Sequence, residues 1–274
     1  MMTQPDSKLE AFSLFAQEVA RSNGTIMRTF ESTPKYDLPE DQYLNEFVSN
    51  KINDNIAELI KEHYPEHTMY KKGGSLDQHV GYEWICDPLD GAFCYSVGYR
   101  VSVTSVTLTK DGESIVSAVY DPWNDRMYAA IKGGGAWLNG QPIQVNDSPL
   151  RKYTMINSEW WPAAAFDIDT PLHEVAVETG VYLVHQGSVI HSACLVASGV
   201  FAASLFGGFV QGKNHEVAAA KLIVEEAGGR ISDLVGEDIG FIGDIRGFII
   251  SNGALHDDLV TRIGHEIVKA PQDV

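Results

Sequence analysis

Trp84-Ile85-Cys86-Asp87-Pro88-Leu89-Asp90-Gly91-Ala92 reads as a short strand, Trp84 to Cys86, that runs into two carboxylates held by a proline and a glycine. Trp84 and Ile85 belong in a core. Pro88 fixes φ and Gly91 permits a sharp turn, so Asp87 and Asp90 are presented where the chain leaves that core. Hard oxygen donors at this density suit Mg²⁺ or a similar ion. Taken alone, Asp-Pro-x-Asp-Gly is equally a plain turn, and the surrounding segments have to decide.

Upstream, Leu9, Phe12, Val19 and Ile26 recur at helical spacing and predict an amphipathic helix over Lys8 to Phe30. A second helix is expected over Asp41 to His63, closed by Pro65. Downstream, β-branched Val101 to Thr109, the turn Lys110-Asp111-Gly112-Glu113 and Ser114 to Tyr120 form a hairpin, which Arg126 to Ile131 extends into a meander. Past Ser148-Pro149 the pattern changes to strands at Thr154 to Asn157 and Val181 to His185, with helices at Thr170 to Thr179, His191 to Ser198 and Glu216 to Ala227. Gly228-Gly229 caps the last of these, Phe248 to Gly253 is a late buried strand, and Leu255 to Lys269 a terminal helix. Two halves result, an α+β half over 1–147 and an α/β half over 148–274, forming one unit.

The charge balance narrows the partners. Lys and Arg number 20 against 37 Asp and Glu, a formal charge of -17, which repels nucleic acid and anionic membranes. An anionic small substrate then needs a local cation. No apolar run approaches the roughly 20 residues of a membrane helix, and the N-terminal residues lack the apolar stretch of a secretory signal, so a soluble, cytoplasmic protein is expected. Cys86, Cys94 and Cys194 contain no CxxC pair and are expected as reduced thiols in packing roles.

Four segments together resemble the inositol monophosphatase superfamily, the Mg²⁺-dependent phosphomonoesterases related to fructose bisphosphatases. They are Trp84 to Gly91, Lys132-Gly133-Gly134-Gly135-Ala136-Trp137-Leu138-Asn139-Gly140, Glu216 to Gly229, and Ser251-Asn252-Gly253-Ala254-Leu255-His256. The resemblance spans nearly the whole chain and implies a layered αβαβα sandwich, a homodimer, and a site between the two halves. In that site it places Asp87, Asp90 and Glu216 as metal ligands. The amides of Gly91 and Ala92, at a turn leading onward, can cradle phosphate oxygens as helix N-termini do. Gly187-Ser188 resembles the turn that offers backbone N–H groups to substrate.

The chain departs from the family pattern in several places. Asn214-His215 precedes Glu216 where the family usually has Trp before Asp. Counting from Tyr64-Pro65-Glu66-His67 puts Lys71-Lys72-Gly73 where the family has Gly-Glu-Glu, and Ala92 stands where a Thr or Ser orients the attacking water. Phe209 falls near the position of a sugar-binding carboxylate. Lys72 reads either as an ammonium replacing one metal among the carboxylates or as a solvated lysine. His215 reads as a metal ligand, a general base, or a residue lining a pocket. Asp77 and Glu83 are candidates for a displaced ligand, with His79 weaker, and Asp54 reads as a helix-face carboxylate rather than a ligand.

These readings lead to a divergent Mg²⁺-dependent phosphomonoesterase acting on a small phosphorylated metabolite, with water as nucleophile. The alternative is a pseudophosphatase, an anion-binding or regulatory dimer that keeps the fold.

Overall fold

Alternation of apolar residues along the strands sets the order of the layers. The computed structural model describes residues 6–33, 43–70, 80–159, 167–207, 214–242, 245 and 247–267. Its first sheet has seven strands in chain order: β1 (Thr68–Met69), β2 (Tyr82–Asp90), β3 (Val103–Lys110), β4 (Glu113–Asp121), β5 (Arg126–Ile131), β6 (Gly135–Leu138) and β7 (Gln141–Ile143). β1 is parallel to β2 and the rest form an antiparallel meander. Between β3 and β4, Asp111 and Gly112 both have positive φ, 51° and 83°, the two-residue hairpin turn expected there.

Helices α1 (Ser7–Phe30) and α2 (Leu44–His63) cover one face of this sheet. Phe12, Phe15, Val19 and Met27 of α1 pack with Trp84, Val106, Leu108, Val116 and Tyr120 from alternate strand positions. Each such side chain contributes about 1.5–3 kcal/mol on burial, which offsets the conformational entropy lost in ordering α1 against the sheet.

The opposite face carries Ile85, Val103, Val119 and Tyr128, against α5 (Val189–Ala197) and α6 (Asn214–Glu226). Every residue of α5 is buried, as are Val217 to Ala220 and Leu222 to Val224 of α6. An apolar helix such as α5 is one covered on both sides, and α6 leaves Lys221, Glu225 and Glu226 toward solvent. Their second cover is the other sheet, β8 (Met155–Glu159), β9 (Tyr182–Val184), β10 (Ala203–Phe206), β11 (Arg230–Ser232) and β12 (Phe248–Ser251), ordered β11-β12-β10-β8-β9. Phe206, Phe248 and Ile250 face α5 and α6. Leu205 and Ile249 point outward to α4 (Asp169–Thr179) and α7 (His256–Ile267), which form the last layer. The result is the αβαβα sandwich expected from the sequence. Among the described residues, no helix is long and apolar enough to cross a membrane.

Several elements differ from expectation. β1, β6, β7, β10, β11 and the short helix α3 (Ala92–Ser96) were not anticipated; each spans only two to five residues. The strand expected to end at Cys86 continues to Asp90, so the two aspartates lie in β2 rather than in a turn after it. The helix expected from His191 starts at Val189.

Candidate metal centre

In a regular strand, residues three apart point to opposite faces. Asp87 pairs with Ser105 and Asp90 with Val103, so β2 advances three residues while β3 advances two. This one-residue bulge turns both aspartates toward the α5 and α6 side. Pro88 sits in the bulge, where no ladder N–H is required, and Asp87 Oδ1 accepts from the Leu89 amide at 3.0 Å, closing the local turn. Both carboxylates are buried.

The N-terminus of α6 brings His215 and Glu216 to the same place. His215 Nε2 lies 3.2 Å from Asp87 Oδ2. One ligand atom from each of Asp87, His215 and Glu216 falls within 4.8 Å of the others, and all three residues are buried. Two carboxylates and an imidazole at this spacing are a donor set for a divalent cation, whose charge offsets the cost of burying like charges side by side.

Asp90 is not in that group. Its Oδ2 accepts from the Ile190 amide at 2.8 Å and from the Ser188 hydroxyl, so it caps the N-terminus of α5, where the helix dipole favours a negative charge. The backbone around it is tightly packed. Gly91 has φ 75°, and a Cβ there would meet the Gly187 carbonyl at 3.1 Å; a Cβ on Gly187 would meet Cys94 Sγ at 2.5 Å.

Glu159, at the end of β8, escaped the sequence reading. It is buried and accepts from Asn157 Nδ2 at 2.9 Å and from the amides of Gly187 and Ser188 at 2.9–3.3 Å. The Gly187-Ser188 amides expected to face substrate therefore donate to Glu159 in this structure. Burial raises the Glu159 carboxyl above its ordinary value, and the Asn157 and Gly187 donors pull it back. A lone acid ending the buried stretch Ile156-Asn157-Ser158 was the available signal.

Other candidates are dispersed. Glu83 lies on β2 four residues before Asp87, on the order of 13 Å away at strand rise. Asp54 is exposed on α2, as a helix-face carboxylate. Lys72, Gly73, Asp77, His79 and Phe209 lie outside the described residues. All three cysteines are free; burial pushes the Cys86 thiol up to about 12 and raises those of Cys94 and Cys194, which fits packing roles.

A sandwich of this layer order is the fold of solved inositol monophosphatases. The inositol monophosphatase of Anabaena superposes with a TM-score of 0.79 over 97% of this chain and 98% of that one, at 22% identity. The Thermotoga maritima enzyme gives 0.80 over 94% and 98%, at 20% identity. These identities speak for the fold. The chain belongs to the inositol monophosphatase family, whose profile matches residues 8–269. It is 31% identical over 256 residues to the fructose-1,6-bisphosphatase/inositol-1-monophosphatase of Aquifex aeolicus, covering 91% of this chain and 94% of that protein. It is also 30% identical over 233 residues to the putative Nus factor SuhB of Neisseria meningitidis, covering 81% and 87%.

Proposed function

We propose that this protein is a divalent-cation-dependent phosphomonoesterase acting on a small phosphorylated metabolite. The observation that supports this best is the buried group Asp87, His215 and Glu216, at the junction of β2 and α6 in a family whose named members include phosphatases. Asp87 and Glu216 hold the cation, Mg²⁺ by the sequence expectation. When bound, such an ion neutralises the carboxylates, polarises a phosphoryl oxygen and acidifies water. The amides of Gly91 and Ala92, where β2 passes into α3, receive phosphate oxygens. Asp90 works from its place at α5: tied to Ser188 and Ile190, it fixes the Gly91 turn against the Gly187 turn and so holds the phosphate cradle in register with the cation ligands.

A second reading is a binding protein that keeps the fold without turnover. Ala92 lacks the hydroxyl that the family uses toward water, and Glu159 fills the Gly187-Ser188 amides. A relative is named as a putative Nus factor.

Phosphate release from a panel of sugar, polyol and nucleotide phosphates separates the two. Chelator-treated protein should be inactive, added cation should restore release, and Asp87→Asn or Glu216→Gln should lower it by at least about tenfold. Release that ignores cation and survives both substitutions would refute the enzyme reading. Cation binding without release from any substrate would favour the second.

A further inference from the structure

We propose that His215 Nε2 is a direct ligand beside Asp87 and Glu216, and that the site therefore takes a borderline first-row ion such as Fe²⁺, Co²⁺ or Zn²⁺ in preference to Mg²⁺. This rests on the reading of the cleft as a cation site and changes which cation it selects.

The geometry carries the argument. Two donors each about 2.1 Å from one ion are roughly 3.0 Å apart at a right angle and roughly 3.4 Å apart at a tetrahedral angle. The His215 Nε2 to Asp87 Oδ2 separation is 3.2 Å, between the two. Consecutive helical residues diverge by about 100° around the axis, so His215 and Glu216 meet only on a target lying between their two directions. Asp87 is on that target: one donor from each of the three residues falls within 4.8 Å of the others. The second oxygen of Asp87 is tied to the Leu89 amide, which fixes the carboxylate plane and leaves Oδ2 directed at the imidazole.

Donor chemistry then decides the ion. Mg²⁺ dehydrates reluctantly and prefers all-oxygen surroundings in octahedral order. Imidazole is a borderline donor that suits Zn²⁺, Fe²⁺ and their neighbours. A carboxylate pair alone would leave the choice to oxygen ligands; replacing the family's tryptophan by His215 adds a nitrogen to the set. The same lone pair that binds an ion is not available to take a proton, so His215 acts here as a ligand and not as the base that activates water.

The test uses the full chain stripped with chelator. Zn²⁺ and Mg²⁺ affinities are measured by competition titration for the wild type, His215→Ala and His215→Gln. Imidazole nitrogen shifts of ¹⁵N-labelled wild type are recorded with and without Zn²⁺. Both substitutions should weaken Zn²⁺ by at least about tenfold while Mg²⁺ changes by less than about threefold. The Nε2 resonance missing from His215→Gln should move to a metal-bound position in the wild type. Equal weakening of both ions, or a His215 nitrogen that stays put when Zn²⁺ binds, overturns the inference and makes His215 a salt-bridge partner of Asp87. Should a variant fail to fold, the wild-type nitrogen spectrum decides by itself. Phosphate release with Mg²⁺ alongside an unmoved His215 nitrogen would sink this inference and leave the phosphatase standing. Nitrogen-ligated Zn²⁺ with no release from any substrate would do the reverse.

Discussion

Lowering the pH should destabilise the protein through His256, whose surroundings set the sign. His256 opens α7, fully buried between Ser251 of β12 and Ser232 of β11. The Ser232 hydroxyl donates to the Asp233 carbonyl at 2.6 Å, so toward the ring it accepts from Nε2–H at 2.9 Å. The Ser251 hydroxyl accepts from the Gly253 amide at 3.2 Å and donates to Nδ1 at 2.7 Å. The neutral ring is thus matched at both nitrogens, whereas a proton on Nδ1 sets donor against donor. Burial chiefly, with the Arg230 charge nearby, lowers the pKa from 6.5 to about 4. The position at a helix N-terminus disfavours a cation as well.

Because the folded value lies below the unfolded one, the unfolded chain takes up the proton first. The stabilisation is fully present above pH 6.5 and is lost as the pH falls through about 4. The full loss is about 3 kcal/mol, a substantial part of a typical folding free energy. Urea unfolding followed by tryptophan fluorescence, from about pH 7.5 to about 4, compares the wild type with His256→Gln. The variant should be the less stable at the upper pH by about 1–3 kcal/mol, the cost of breaking matched buried hydrogen bonds. That gap should close or invert toward pH 4, since other titrating groups are common to both proteins. Parallel curves across the window would refute the reasoning.

Two backbone contacts give further outcomes. Gly24→Ala improves helix propensity in α1 by about 1 kcal/mol, yet the new Cβ would lie 2.4 Å from the Tyr120 ring, whose hydroxyl is held by Asp125 and Arg28. A net loss of about 1 kcal/mol or more is expected, and stabilisation would show that the ring yields freely. Gly187→Ala combines a Cβ at 2.5 Å from Cys94 Sγ with a φ of 88°, and should cost more than the roughly 1–2 kcal/mol of left-handed backbone alone. Adding Cys94→Ala should recover the steric part and leave the backbone part; a double variant as unstable as the single would place the strain elsewhere.

Much of the fold was legible because its signals are local. The spacing of Phe12, Val19 and Ile26 defines α1, and Asp111-Gly112 defines the first hairpin turn. The helices α5 and α6 were also found, but the absence of a polar face on α5 was not turned into a position, although its burial along the whole length is what places it between the sheets. β10 was missed although it lies in the middle of its sheet: Ala203-Ser204-Leu205-Phe206 has none of the β-branched residues that mark β12, Phe248-Ile249-Ile250-Ser251. At the site, Asp87, Asp90 and Glu216 were readable as acids beside turn and helix-start residues. Glu159 was not, because its partners Gly187 and Ser188 are brought to it by the pairing of β8 with β9 and the packing of α5.

The sequence by itself determined which residue types stand at the strand end and helix start, because backbone turns and helical faces are set by neighbours a few positions apart, and through those segments the family resemblance, which implied the layered architecture. Tertiary structure alone decided which donors converge. A bulge measured against β3 turns Asp87 and Asp90 to one face, α5 draws Asp90 into its cap, and α6 sets His215 against Asp87 across 128 positions of chain. Those outcomes depend on how two sheets close over a buried pair of helices, and no local spacing encodes that distance.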